Sequence, residues 1–307
     1  MKVAVSTAIR FLAVALVYFI CFSVVSGALL SNPQNQPSPA EAGTALAALL
    51  AVSVINAAVW TWVMIRSRWS GWKLILTIFL VFYGVGTFMP QIETAYFVTN
   101  LPPGMVTRLF IAGLIIAAVF SPLAVLILGK ARGGTKRAGA GTSALTMPVS
   151  AWAIKLSLIA IVYVVIYFTF GYFIAWKSPA VRAYYGGTDP GNFIGQMRNV
   201  LRTDPLLLLL QFARGLLWAA IAVPVIRMMK GEWWETGLAV AVLFAMTSSL
   251  LLLPNPLMPS EVRMAHLLET STSNFLFGWL VVLILRYWTF PRPATSQTVS
   301  TRSPLTP

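Results

Sequence analysis

Eight apolar blocks, each of bilayer-crossing length and each bounded by short polar stretches, restrict this 307-residue chain to one structural class. They lie near residues 10–30, 44–65, 72–97, 107–129, 151–176, 205–227, 235–254 and 262–287. A hydrocarbon layer about 30 Å thick needs roughly 20 apolar residues in helical form. Inside it every backbone N–H and C=O must be bonded within its own segment, so continuous apolar runs are helices. Strands of a barrel would alternate polar and apolar residues instead. The reading is an all-α integral membrane protein with eight transmembrane helices.

Charge then reports topology. A formal net charge of +14 points to nucleic acid in a soluble chain, but here the cations sort by loop, and no nucleic-acid partner is expected. Lys2, Arg10, Arg66, Arg68, Lys73, Lys130, Arg132, Lys136, Arg137, Lys155, Arg227, Lys230, Arg286, Arg292 and Arg302 fall at the N-terminus, in alternate loops or at the C-terminus. Loop 31–43 has no Lys or Arg, and the linkers after spans 3 and 7 have almost none. The positive-inside rule therefore predicts N-in, C-in topology, with both termini cytoplasmic in a cytoplasmic (inner) membrane. Loop 177–204, with Lys177, Arg182, Arg198 and Arg202, runs against the rule. The first block is too long for the apolar core of a secretory signal, and it resembles the fifth, which lies mid-chain. Cys21, the one cysteine, cannot form an internal disulfide and reads as a packing residue.

The two halves of the chain resemble each other. Ala8-Ile9-Arg10, Ala15, Val17 and Tyr18 match Ala153-Ile154-Lys155, Ala160, Val162 and Tyr163 at an offset of 145. Ile65-Arg66 and Trp72 match Ile226-Arg227 and Trp233 at offset 161, and Glu93-Thr94 matches Glu269-Thr270 at offset 176. Four spans is an even number, so such repeats enter the membrane in the same direction, related by an axis along its normal. The expected organisation is two parallel four-helix repeats, residues 1–130 and 151–290. A flexible cytoplasmic linker, 131–150, joins them, and a disordered cytoplasmic tail, 291–307, follows. Gly129 and Gly134 have phosphate-loop spacing, but Thr135 stands where that loop needs lysine, and no strand precedes it.

A carboxylate inside a spanning helix normally faces a partner, a cavity or a pathway. Glu93 and Glu269 are such groups, and they carry the functional expectation. In span 8, with Ser260 as its expected N-cap, His266, Glu269, Thr270, Ser273 and Asn274 form one polar stripe at 100° per residue. Glu269 lies about 26 Å along the helix from Arg286. Pro90 is expected to kink span 3 just before Gln91, Glu93 and Thr94. In span 6, Gln211 and Arg214 share a face at similar depth, so Arg214 is expected to pair with Glu269 or Glu93. Two carboxylates and one arginine would leave one acid unpaired and free to exchange protons. The outer loop is expected to hold an amphipathic surface helix over Asn192–Thr203. Asp204-Pro205 then reads as the cap and first position of span 6.

One histidine excludes a bis-histidine haem site within one chain and zinc motifs needing two histidines. His266, Glu269 and Glu93 remain as a conceivable three-ligand metal group or acid–base set, although no metal or cofactor is expected. No GxSxG or HExxH signature is present. The leading expectation is a polar site between the repeats, opening outward and used in transport or sensing of a small solute or proton. Its rivals are a non-catalytic membrane subunit or assembly factor whose polar cluster is structural, and a membrane-embedded enzyme.

Overall fold

The computed structural model describes residues 2–31, 38–98, 101–132, 145–189, 191–255 and 257–287. Among them are eight helices long and apolar enough to cross a membrane: Ser6–Leu30, Pro39–Ile65, Gly71–Phe97, Met105–Ile127, Val149–Ala175, Leu206–Met228, Trp233–Leu252 and Ser260–Arg286. This is the all-helical architecture of a multi-pass membrane protein. Most of the linker, with Gly134, Thr135, Lys136 and Arg137, and the tail with Arg292 and Arg302 lie outside the described residues. Span 2 begins earlier than hydropathy alone indicates, because Ser38 and Glu41 form a reciprocal capping box with Pro39 in the first turn.

Three spans depart from α-helical winding. Span 3 contains a π-helical turn, Gly84–Phe88, immediately before Pro90. The wider turn carries the bond from Met89 N–H to the Gly84 carbonyl, so the proline is accommodated by one extra residue in the winding rather than by a freed carbonyl alone. Span 5 ends in a second π-helical turn, Gly171–Ala175. Span 7 tightens to a 3₁₀ helix over Met246–Leu252 before Pro254 stops it. Its loosened carbonyls have partners on span 8. Asn274 Nδ2 donates to the Phe244 carbonyl at 3.4 Å, and Arg263 Nη1 donates to those of Leu251 and Leu253 at 3.0 and 2.7 Å. Arg263→Met is expected to cost about 1–3 kcal/mol, the penalty of leaving buried carbonyls unpaired, read as a lowered thermal midpoint in detergent.

Span 1 packs on spans 2 and 4, and span 3 on span 4; span 5 packs on spans 6 and 8, and span 7 on span 8. Each set of four closes around an aromatic cluster with one ring per span. Phe82 lies 5.3 Å from Trp60 and 4.9 Å from Phe120, which meets Tyr18 edge-on at 5.7 Å. Phe244 lies 4.4 Å from Trp218 and 6.1 Å from Phe277, which meets Tyr163 at 4.8 Å. Helix pairs in lipid approach closely where side chains are small. A Cβ on Gly278 would stand 2.7 Å from the Ala241 Cα, and one on Gly215 2.7 Å from the Ala160 Cα. Between the sets, span 2 meets span 7 and span 3 meets span 6.

At the end of the bundle rich in lysine and arginine, the basic end, the turns after spans 2 and 6 pair with each other. Arg68 N–H donates to the Met228 carbonyl at 2.7 Å and Lys230 N–H to that of Arg66 at 2.8 Å, forming an antiparallel bridge between Ser67 and Met229. Arg10 and Lys155 are more than charge markers. Arg10 Nη1 donates to the Leu128 carbonyl at 3.3 Å and Lys155 Nζ to that of Leu285 at 2.7 Å. Each places a cation on carbonyls of the last turn at a helix C-terminus, where the helix dipole favours it.

Candidate functional site

Glu93 stands one turn beyond Pro90, on the stretch of span 3 that the π-helical turn re-aims, and meets Arg214 of span 6 in an ion pair. The partners are unequally desolvated: the arginine side chain is 4% exposed and the glutamate 36%. Gln211, one turn before Arg214, accepts from Nη1 through its side-chain oxygen at 2.7 Å. The Tyr163 ring lies 5.6 Å from the guanidinium carbon, within cation–π range. Arg214 Nε, Gln211 Nε2 and Gln91 Oε1 are buried without a hydrogen-bond partner. Two donors and an acceptor thus make no hydrogen bond among the described residues.

Glu269 is not free either. It accepts from His266 Nδ1 at 2.9 Å, three residues away on the same face of span 8, and His266 Nε2 lies 3.2 Å from the Tyr185 hydroxyl. Tyr185 follows the short helix Pro179–Tyr184 and is flanked by Trp176 and Phe97, at ring separations of 6.4 and 6.3 Å. Burial first, then Tyr184, Glu93 and Glu269, push its phenol above the usual range. The Glu269 carboxylate can only accept, which places a proton on His266 Nδ1, and in that tautomer of the neutral ring Nε2 accepts from the Tyr185 hydroxyl. The second carboxylate oxygen points at span 5, where a Cβ on Gly171, the first residue of the π-helical turn, would lie 4.0 Å away.

The expected unpaired acid is thus replaced by two occupied ones, Glu93 on Arg214 and Glu269 on His266. The metal group does not assemble: among the described residues no three His, Cys, Asp or Glu side chains are gathered as ligands. The Glu-Thr pairs do not occupy corresponding helices, because Glu93 is on the third span and Glu269 on the eighth. Thr94 Oγ1 bonds back to the Pro90 carbonyl at 3.2 Å, and Ser273 Oγ to that of Thr270 at 3.3 Å. With Asn274 on span 7, the lower part of the stripe serves helix packing; Thr270 is half-buried and Gln91 makes no bond through its buried oxygen. Asp204 accepts from the Tyr96 hydroxyl at 2.7 and 2.8 Å instead of capping span 6, and the helix Ser260–Tyr287 takes Ser260 into its first turn. The surface helix is present as Phe193–Thr203, with Asn192 Oδ1 accepting from Gly195 N–H at 2.7 Å.

Sequence reasoning missed Tyr163 and Tyr185 as members of the site. The aromatic turn at Tyr184-Tyr185 was the available signal for the second; the first read as an ordinary span residue. A separate cavity lies among spans 1, 2, 3, 4 and 7, lined in part by Tyr18, Asn56, Trp60, Phe82, Gly86 and Thr87. It holds about 400 Å³ of empty space, including space open to the surroundings. At its edge Asn56 Nδ2 donates to Ser249 Oγ across spans 2 and 7 at 3.2 Å.

No protein-family model, no curated protein and no solved structure matches the chain.

Proposed function

We propose that this multi-pass protein is built of two parallel four-helix repeats, residues 1–130 and 151–290. In this reading an outward-facing polar site between them serves proton-linked transport or sensing of a small solute. Three features support the repeats. The aromatic clusters are alike, one ring from each span. Arg10 and Lys155, matched in sequence, hold the C-terminal carbonyls of spans 4 and 8 respectively. The Ser67–Met229 bridge is the antiparallel contact that a two-fold axis between corresponding turns generates. On the positive-inside rule the basic end is cytoplasmic, with both termini in the cytoplasm and the linker and tail on that side. The membrane is then a cytoplasmic (inner) one.

The observation that carries the functional reading is the chain Tyr185–His266–Glu269. It runs from the segment between spans 5 and 6 into span 8, and a separate pair, Glu93 with Arg214, joins spans 3 and 6. A phenol, an imidazole and a carboxylate in hydrogen-bonding sequence form a path for a proton. The unmade bonds of Arg214 Nε and Gln211 Nε2 offer donors to a polar solute beside it. The groups facing His266 are Glu269 and Tyr185.

The test is proton flux into pyranine-loaded proteoliposomes under an imposed pH gradient. Glu269→Gln is expected to reduce the flux to that of empty liposomes while leaving the thermal midpoint of the purified protein nearly unchanged. A non-catalytic subunit is the second reading, favoured by the Arg214–Glu93 and Asn56–Ser249 contacts, both of which pin one half to the other. It predicts no flux in the unmodified protein and a stoichiometric partner on purification.

A further inference from the structure

The ion pair between spans 3 and 6 leaves unused the groups best suited to hold a further carboxylate. Arg66 shows what a guanidinium does when its Nε edge is occupied: Nε and Nη2 take both oxygens of Glu235. Arg214 instead meets Glu93 and Gln211 through Nη1, and its Nε makes no hydrogen bond among the described residues. Gln211 gives its side-chain oxygen to that same Nη1, so its amide nitrogen is held beside the guanidinium, and this donor too is unbonded. Both residues are nearly sealed off, Gln211 at 0% and Arg214 at 3% exposure. A buried donor left unpaired costs free energy, and two of them on one hydrogen-bonded pair of side chains call for a shared acceptor. On the other side of the pair, the bond to Arg214 uses Glu93 Oε1 alone. The glutamate side chain is partly exposed and lies one turn from the end of span 3 at Phe97.

We propose that this pair binds a small zwitterion of the amino-acid type, with the carboxylate on Arg214 Nε and Gln211 Nε2 and the ammonium on the second oxygen of Glu93. The inference rests on the solute-handling reading of the site and names the class of solute. Charge decides the class. Glu93 and Arg214 already neutralise each other, so a carboxylate alone would add an unbalanced negative charge beside buried groups, and an amine alone a positive one. A molecule carrying both keeps the site neutral, satisfies the two unbonded donors and gives the open carboxylate oxygen a cation. The solute enters from the Glu93 side, the exposed one. Because Glu93 belongs to span 3 while Arg214 and Gln211 belong to span 6, it bridges the boundary between the two sets of four helices.

The test is the thermal midpoint of the purified full-length protein in detergent, measured against increasing concentrations of each common amino acid. Each is compared with the acid that lacks the amine and the amine that lacks the carboxylate; for alanine these are propionate and ethylamine. At least one amino acid is expected to raise the midpoint saturably, and its two singly charged counterparts to bind at least about tenfold more weakly, the worth of one lost charged hydrogen bond. Gln211→Met removes the amide at similar length and should weaken the zwitterion about tenfold to a hundredfold. Arg227→Gln, at an exposed arginine in the last turn of the same span, is the control and should leave binding intact. The comparison among ligands uses the unmodified protein and so stands even where Gln211→Met does not fold. If no amino acid raises the midpoint, or if the singly charged acid binds as tightly as the zwitterion, the inference is overturned. Binding is read without a gradient and therefore fails separately from the proton path. Binding with no flux in proteoliposomes keeps the zwitterion site and overturns transport, whereas Glu269-dependent flux with no amino-acid binding keeps the proton path and overturns the zwitterion.

Discussion

Replacing Glu93 with glutamine is expected to destabilise the protein more than replacing Arg214 with methionine, and the double variant should recover most of the loss. The asymmetry follows from exposure. Arg214 is 4% exposed, so removing its carboxylate strands a guanidinium away from water. Breaking a buried pair from one side costs about 3–5 kcal/mol. Glu93 is 36% exposed, and its charge is partly screened once the arginine has gone, which limits that loss to about 1–2 kcal/mol. Methionine with glutamine leaves no charge to solvate, although Gln211 still loses the donor to its side-chain oxygen, worth about 1 kcal/mol. Thermal or denaturant unfolding of the four proteins in one detergent closes the cycle. A larger loss in Arg214→Met than in Glu93→Gln would mean that the arginine acts through its packing on Tyr163 and not through its charge.

Glycine substitutions separate helix contact from open space even more sharply. Gly278→Ala puts a methyl group 2.7 Å from the Ala241 Cα and 2.8 Å from the Val240 carbonyl oxygen, against backbone that cannot rotate away. The overpacking costs about 1–3 kcal/mol, and Gly278→Leu should prevent spans 7 and 8 from closing at all, seen as loss of the monodisperse peak in size-exclusion chromatography. Gly86 borders the cavity, and a Cβ there meets nothing within 4 Å. Gly86→Ala should therefore be neutral or stabilising by up to about 1 kcal/mol through helix propensity. Similar losses at both positions would show that the winding of span 3, rather than contact distance, governs the response.

The spans were legible because bilayer thickness and backbone hydrogen bonding leave only one solution for an apolar block of that length. Pairing of Arg214 with a glutamate was legible for a related reason: depth along a helix can be counted from its charged end, and a buried cation requires an acid. Which glutamate it meets depends on lateral packing, which counting cannot reach. Glu269 and His266 share a face by arithmetic, yet the partner of the imidazole is Tyr185, delivered by a turn without periodicity. The π-helical turns were also hidden. One extra residue per turn changes no composition, and only Pro90 hinted at the first. The repeated Glu-Thr dipeptide misled because short identities between apolar segments ignore helix order.

The two ends of the boundary between the halves are fastened by different means. At the basic end the link includes backbone amides and carbonyls, so it does not rest on side-chain identity or ionisation alone. Toward the other end, spans 3 and 6 are joined by the side chains of Glu93 with Arg214 and, beyond the membrane-embedded pair, Tyr96 with Asp204. Mechanically, this is a lever with its fulcrum at Ser67 and Met229. A small rotation about that point barely stretches the fixed end and is widest at the Tyr185–His266 end, where the joins named between spans 3 and 6 are made by side chains and not by backbone.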